Sequence, residues 1–576
     1  RIMNIILTDE YFKARGSVRA KPPVPVKELF SARNDSVCFQ LLIDSGTRCI
    51  LNAGTSPALT YEAGLSRLRV AVDSPFPCTV RTEGYLKDEN GVPCAEILWE
   101  SPQTYEGGLF APAHILIDVP ADAKPGQYAV TVRFFEAKGA RGERKIFEET
   151  LPFTVFPYVL PSPQQWRCHL DLWQHNSNIA RTFGVETWSD EHFVEMEKVI
   201  ATLSDLGQKS VTVVAGDCPW RGWGCYLLKD HPATLFEYSM IFVRREKDGS
   251  FSYDFSALRR YIELCFSYGI RGDITVYGLM GIWSHMPLFP GTAPEDYPEQ
   301  VLIRYLDEAD GCFKYLKKTE DILSYIRALF ALFREMGVFH LVRIGADEPS
   351  DLNAYNKNVA LLRSVAPDIK FKMALDKTSA IQTFSPDTDD IAASFPCSCE
   401  NRALLHKVRE ENEKRRILFY VCNIPKNEPN TVLRSELYEC TALAAIGYLF
   451  GFDGFLRWAY TCWTERPLED IRYNNTALPA GDVNFVYPAK NGGVLYSVRY
   501  FALKRMLQLK EAMQLLSDRG RRQDVEAALP LILKNTDVSS YMQDDFFTKE
   551  GILSHDPADY TAFRKTLLQL LSEEAD

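Results

Sequence analysis

The sequence predicts a multidomain chain with an N-terminal all-β sandwich, a (β/α)8 TIM barrel and a C-terminal helical extension packed on the barrel. Three observations carry this. Residues 1 to 157 hold short alternating runs with no long helical periodicity. After Trp166, apolar strand-like runs alternate with amphipathic helical stretches, the pattern of a parallel sheet built through crossovers. A chain of 576 residues is also too long for one ordinary core.

In the first region, "SVCFQLLID", "RLRVAV", "HILIDVP" and "GQYAVTVRFFEA" read as strands, with "ADAKPGQ" and "EAKGARGE" as turns. The proline-rich "FPYVLPSPQQW" reads as a linker. The barrel is assigned to residues 165–515. Its candidate strands are "CHLDLW", "SVTVV", "DITVYGL", "HLVRIGA", "FKMAL", "IAASF", "ILFYV" and "GFLRWAY". Between them lie helical patterns such as "DEHFVEMEKVIATLSDLG" and "EDILSYIRALFALFREMG", which stop at Gly as helix C-termini often do. Long insertions follow the second and third strands; the first contains Trp220 and Trp223, readable as its cap. A helix over "VLYSVRYFALKRMLQLKEAMQLL" follows the last strand, and residues 516–576 form the extension, with "PADYTAFRKTLLQLLSEEA" as its main helix.

Composition removes several function classes. The formal charge is −11, so no basic surplus is available to displace counterions from a nucleic acid. No apolar run approaches the ~20 residues that span a bilayer, and "MNIIL" near the start is too short for a signal-peptide core. The expectation is a cytoplasmic, monomeric protein without membrane insertion. The fourteen cysteines are scattered, and Cys397 and Cys399 form the one short-spaced pair, so buried thiols are expected rather than a disulfide framework or a zinc site.

In a barrel, function collects where the strands end. The stretch "RIGADEPSD" brings Asp347 and Glu348 side by side to the end of strand four, just before Pro349. In "HLDLWQHN" a period of two aligns His169, Asp171 and Trp173; in "FLRWAYTCW" it aligns Trp458 and Tyr460; in "LFYVCN" it aligns Tyr420 and Cys422. Each has a plain structural reading. The two acids suit the N-terminal dipole of the following helix, His169 suits a hydrogen-bonded structural role, and single aromatics suit a core. Their coincidence at several strand ends points instead to an aromatic-lined, acid-bearing mouth fit for a neutral sugar.

Adjacent carboxylates constrain the chemistry. A retaining glycosidase of the usual kind needs acid and nucleophile facing each other across the sugar, ~5 Å apart. Sequence neighbours approach from a similar side, which fits better if the substrate brings the nucleophile. In a 2-acetamido sugar the amide oxygen attacks C1 and forms an oxazolinium intermediate. One carboxylate then orients the acetamido group and offsets the developing charge, and the other protonates the leaving oxygen and later activates water. Asp347 is expected in the first role and Glu348 in the second, with the ionised neighbour lifting the acid's pKa.

With "HLDLWQHN", "GADEP", "FYVCN…PNT", "DGFLRWAYTCWTERPLED", "PAGDVNFVYP" and "YSVRYFALKRML" in this order from about 165 to 510, the sequence resembles glycoside hydrolase family 123, the β-N-acetylgalactosaminidases. The resemblance implies retaining, substrate-assisted release of terminal β-linked N-acetylgalactosamine (GalNAc) from oligosaccharides, including those of glycosphingolipids. It implies no metal and no organic cofactor. The Asp–Glu pair corresponds to Asp347 and Glu348, and by position Asp171, Trp173, Tyr420, Trp458, Tyr460 and Trp463 carry over as sugar-binding residues. His169 joins them from the strand reading, and Asp482 in "AGD" as a partner for a sugar hydroxyl. One departure is "VYPAKNGG", where Ala489 stands in place of a family glycine.

Three alternatives stay open at this level. One is a conventional two-carboxylate glycosidase with Asp171 or Glu465 opposite Glu348. The second is a catalytically inert carbohydrate-binding barrel. A metal-dependent hydrolase around His169 and Asp171 is the third, although further histidines do not fall at other strand ends.

Overall fold

The structure, a computed structural model, describes residues 3–54, 65–139, 141–220, 235–280, 301–349, 352–384, 386, 388–472 and 478–573. Trp223 lies outside them. The N-terminal region is two sheets. One has five strands in the order Asn4–Asp9, Asp35–Asp44, Ala111–Val119, Cys78–Lys87, Pro93–Trp99. The other has six: Leu29–Arg33, Arg144–Val159, Gly126–Ala137, Ser66–Asp73, Cys49–Asn52, Gln103–Tyr105. Period-two alternation fills the space between them: Val37, Phe39, Leu41 and Ile43 share a core with Leu68, Val70, Val130, Val132 and Phe134. Leu42, of opposite parity, joins a separate apolar cluster with Phe12 and Phe110.

The second region is built on eight parallel strands: His169–Leu172, Ser210–Val214, Asp273–Tyr277, Val342–Asp347, Lys370–Leu375, Asp390–Ser394, Arg416–Tyr420 and Gly454–Arg457, here numbered one to eight. Their order is 1-8-7-6-5-4-3-2. They are short and almost wholly buried, which is why they read as unbroken apolar runs. The seam between strands one and two has no regular ladder. Side chains close most of it instead. Leu172 N donates to Gln208 Oε1 (3.0 Å), Gln208 Nε2 to Leu172 O (3.1 Å), and Thr212 N to Gln174 Oε1 (2.8 Å). Lys209 N donates to Leu170 O (3.0 Å). The barrel is therefore nearly closed.

The shell around it is less regular than the alternation expected from the sequence. Its helices range from Phe395–Glu400 to Val498–Asp518. The second and third connections add short strands at Phe242–Arg245, Phe251–Asp254, Arg304–Asp307 and Cys312–Tyr315, which form their own four-stranded sheet. Helix Pro557–Ser572 packs against the helix Val498–Asp518 and the sandwich strand Arg144–Val159. No helix among the described residues is long and apolar enough to cross a membrane. The cysteines described are free.

Buried ion pairs join the two regions. Asp35 receives Arg505 (3.0 Å) and Arg564 (2.8 Å). Glu96 of the sandwich pairs with Arg499 (2.7 Å) and accepts from Tyr487 (3.0 Å). Arg499 in turn donates to the carbonyls of Gly481 (2.8 Å) and Asn484 (2.9 Å), so a sandwich carboxylate helps to fix the loop that follows strand eight. Removing one partner from such a pair leaves an uncompensated buried charge, which costs about 3–5 kcal/mol.

Candidate active site

Strand four delivers the acids. Gly345 and Asp347 share its inward parity, and a Cβ on Gly345 would lie 2.5 Å from the Tyr277 ring. Glycine is therefore what lets that ring fill the barrel axis beneath the mouth. The strand ends at Asp347, and Glu348 takes φ +44°, a left-handed conformation that costs a non-glycine residue about 1–3 kcal/mol and concentrates at functional sites. Its backbone N–H still donates to Ala374 O (2.9 Å). The turn breaks the alternation that would send consecutive side chains to opposite faces. Asp347 stays buried at 6% exposure, close enough to Tyr277 for its charge to help push that phenol's pKa up, after burial and Asp171.

Glu348 faces strands five and seven. Its Oε1 accepts from the Tyr420 hydroxyl at 2.6 Å. Burial is the first force on its carboxyl, the charge of Asp376 adds to it, and Tyr420 and Lys377 pull the other way; the result is a pKa raised to about 7. The expectation from sequence was that Asp347 would lift this acid. The leading causes are burial and then Asp376, which follows strand five and was not singled out from sequence. A raised carboxylate that keeps its proton near neutrality is what a general acid requires.

Aromatic side chains pack beneath the mouth. Trp173, Trp220 and Tyr277 pack with centroids 5.1–5.2 Å apart. They share one apolar cluster with Tyr420, Cys422 and Trp458. Trp458 Nε1 donates to Asp482 Oδ2 (3.0 Å), and Arg457 Nη2 to Asp482 Oδ1 (2.8 Å). Both oxygens of Asp482 are thus engaged, and this fully buried carboxylate orients Trp458. Trp220 and Tyr277 entered through residues that sequence reading treated as insertion and strand core.

Not every candidate reaches this place. Tyr460 is buried in the shell, its hydroxyl 2.8 Å from Thr202 Oγ1. Trp463 donates to Val486 O (2.7 Å) and packs on Phe183. The alignment of Trp458 with Tyr460 assumed a strand that continues, and the strand stops at Arg457. His169 and Asp171 do point inward, but lower in the barrel. His169 starts its strand, accepts from Arg416 at Nδ1 (2.8 Å) and donates from Nε2 to Asp273 (2.7 Å), a neutral tautomer consistent with its lowered pKa, which burial causes. Asp171 is fully buried and forms an ion pair with Lys372 (2.5 Å). Beyond that ion pair, neither oxygen of Asp171 has a hydrogen-bond partner among the described residues. Lys372 also reaches Ser210 (3.0 Å), Thr275 (3.2 Å) and Asp273 (3.4 Å). Glu465 is exposed beyond strand eight. Among the described residues no group of three or more His, Cys, Asp or Glu is placed to hold a metal ion.

Comparison with known proteins identifies the family. A structure of a family 123 glycoside hydrolase from Clostridium perfringens, studied for glycolipid glycan hydrolysis, is similar over 99% of this chain and 98% of that one, with 16% identity and a TM-score of 0.73. At that identity the likeness speaks for the fold. A putative β-galactosidase from Bacteroides fragilis covers 83% of this chain and 59% of that one (10% identity, TM-score 0.28), and a β-glucuronidase from an uncultured Clostridium covers 77% and 88% (9%, 0.32); at these scores neither bears on the argument. No curated protein matches. The family model described as "Glycoside hydrolase 123, catalytic domain" matches residues 173–516, more than half of the chain and nearly the whole barrel. The chain belongs to glycoside hydrolase family 123.

Proposed function

We propose that the protein is a retaining exo-β-N-acetylgalactosaminidase that releases terminal β-linked GalNAc from oligosaccharide and glycolipid glycans through substrate-assisted catalysis. One observation carries this reading. Two sequence-adjacent carboxylates end strand four, the second in a strained backbone turn with its carboxyl raised to about 7 and bonded to Tyr420.

In this reading the sugar's acetamido oxygen attacks C1 and the glycosidic bond breaks. Asp347, buried beside Tyr277, accepts from the amide N–H, holds the carbonyl in line and offsets the positive charge of the oxazolinium ring. Glu348 gives its proton to the departing oxygen. The resulting carboxylate, steadied by the Tyr420 hydroxyl, takes a proton from the water that opens the ring and restores the β configuration. Trp458, half-buried at the mouth, supplies an apolar face for the sugar's C–H surface, and the buried Trp173–Trp220–Tyr277 cluster backs it from below.

A double-displacement mechanism with Asp171 as nucleophile finds little support, because Asp171 is fully buried and ion-paired to Lys372. The test is a matched pair of substrates: an aryl β-GalNAc glycoside and the corresponding β-galactoside without the acetamido group. Hydrolysis of the first, and inhibition by a GalNAc-thiazoline that mimics the cyclic intermediate, is expected. Comparable turnover of the plain galactoside would overturn the mechanism.

A further inference from the structure

The C-terminal extension presents two adjacent phenylalanines to solvent, Phe546 at 52% and Phe547 at 45% exposure. They sit at the tip of a small hairpin. Met542 bridges Thr548, Gln543 N donates to Phe547 O (3.1 Å), and Asp544 Oδ1 accepts from the N–H groups of Phe546 (2.8 Å) and Phe547 (3.0 Å). The rings are therefore held out on a fixed backbone.

The hairpin is docked on the loop that leaves strand seven just after Tyr420. Lys426 N donates to Phe546 O (2.6 Å), Asn427 Nδ2 to Thr548 O (2.9 Å), and Thr548 N to Asn427 Oδ1 (2.9 Å). On the other flank, Val538–Ser540 packs on the helix Phe395–Glu400 that follows strand six. Burial first, then the charge of Asp376 and last that of Asp545, push up the Cys397 thiol in that helix. The tip thus belongs to the rim over strands five to seven, the rim that Glu348 faces through Tyr420 and Asp376.

A general acid stands on the side of the group it protonates, so the leaving saccharide runs out over that rim. Resting on the proposed roles of Asp347 and Glu348, we propose that Phe546 and Phe547 form a stacking platform for the second and later sugars of the leaving group. Paired rings beside the exposed Asp545 offer apolar faces for C–H surfaces and an acceptor for hydroxyls. Lys426 Nζ lies 6.0 Å from the Phe546 ring centroid and is balanced by Asp544 and Asp545, so the patch has no cationic surplus to hold an anionic bilayer, while its mixed donors and acceptors around two rings suit a neutral glycan.

The test compares the full chain with its Phe546→Ala/Phe547→Ala double variant on a β-GalNAc-terminated disaccharide, a tetrasaccharide, and the tetrasaccharide on ceramide in detergent. The ratio of kcat/KM for tetrasaccharide over disaccharide is expected to fall at least about fivefold, chiefly through KM, and to recover with Trp at both positions. An unchanged ratio would overturn the platform. So would a loss confined to the ceramide-linked substrate, which would assign the rings to lipid. Calorimetric binding of the tetrasaccharide by Glu348→Gln protein, with and without the two alanines, reads the platform apart from turnover; equal affinities there overturn it. Absence of any GalNAc release by the wild-type chain would instead count against the catalytic reading.

Discussion

The barrel interior holds two clusters of charge, and they are built on opposite principles. At the bottom, where strands three, six and seven begin, every charge is answered. Arg416 contacts both Asp390 (2.5 Å) and Asp273 (3.1 Å), Arg343 contacts Asp390 (2.9 Å), and Lys372 stands between Asp171 and Asp273. Burial alone would raise these aspartates; the surrounding cations win and hold Asp273 well below the usual carboxylate range and Asp390 below it. At the top, Glu348 faces a like charge in Asp376, a phenol in Tyr420 and the weaker pull of Lys377, so burial wins and its carboxyl rises to about 7. Paired charges fix structure. A carboxylate that holds its proton up to about neutral pH is prepared for chemistry.

The largest effect expected to follow from that contrast is catalytic. Glu348→Gln should lower kcat for an oligosaccharide by about 10²–10⁴-fold, with a smaller loss for an aryl glycoside whose leaving group needs less protonation. Asp347→Asn should depress both substrates by about 10²–10³-fold, because in the proposed mechanism it disturbs the intermediate itself. Steady-state rates on the two substrates check this. Full activity in both variants would remove the functional half of the comparison.

The bottom cluster predicts the converse. Lys372→Met leaves Asp171 and Asp273 buried with less compensation and should destabilise the protein by about 3–5 kcal/mol in urea unfolding. The fraction that stays folded should keep its KM. A variant that folds normally and loses only activity would show that the network acts on the substrate after all.

A third expectation separates stability from function at one position. Glu348 carries a folded pKa of about 7 against an ordinary 4.5, so the sign is fixed. Below the lower value both folded and unfolded chains hold the proton and nothing is lost. Between the two, only the unfolded chain has released it, and stability falls as pH rises. Glu348→Gln has no such proton to lose. Thermal melts should show it matching the wild type near pH 4 and exceeding it by about 1–3 kcal/mol above pH 7. A difference of the same size at both pH values would deny the raised carboxyl.

Much of this was legible in the residues, and what was not has physical causes. The eight strands could be read because buried parallel strands are continuous apolar runs bounded by turns and helices. Asp347 and Glu348 could be read because acids and aromatics coincide at several predicted strand ends, where a barrel collects its function. His169 and Asp171 were given the right face of strand one, yet alternation fixes direction and says nothing of height, and an inward side chain serves the floor as readily as the mouth. The signal for the floor was Lys372, a lone cation inside the apolar "FKMAL", which cannot be buried without an anion. The alignment that selects Tyr460 lapses where the strand ends at Arg457, and Trp463 rests on positional resemblance alone. Asp376 carried no local signal. Its meaning comes from the register that pairs Asp347 with Ala374, which no single-chain pattern displays.

That register gives the smallest and most discriminating prediction. Asp376 lies two residues beyond the carbonyl that receives the Glu348 N–H, and its charge is the second cause, after burial, of the raised carboxyl. Asp376→Asn removes the like charge, so Glu348 should release its proton more readily. The basic limb of kcat/KM should move to lower pH by up to about one pH unit. Tyr420→Phe should act oppositely, because the hydroxyl stabilises the ionised carboxylate; its loss raises the pKa and moves the limb upward. The two profiles, recorded from about pH 5 to pH 9 on an oligosaccharide so that protonation of the leaving group limits the rate, should diverge from the wild type in opposite directions. Shifts in one direction, or none in either, would mean that neither group tunes the acid, and the top of the barrel would then differ from the bottom only in burial.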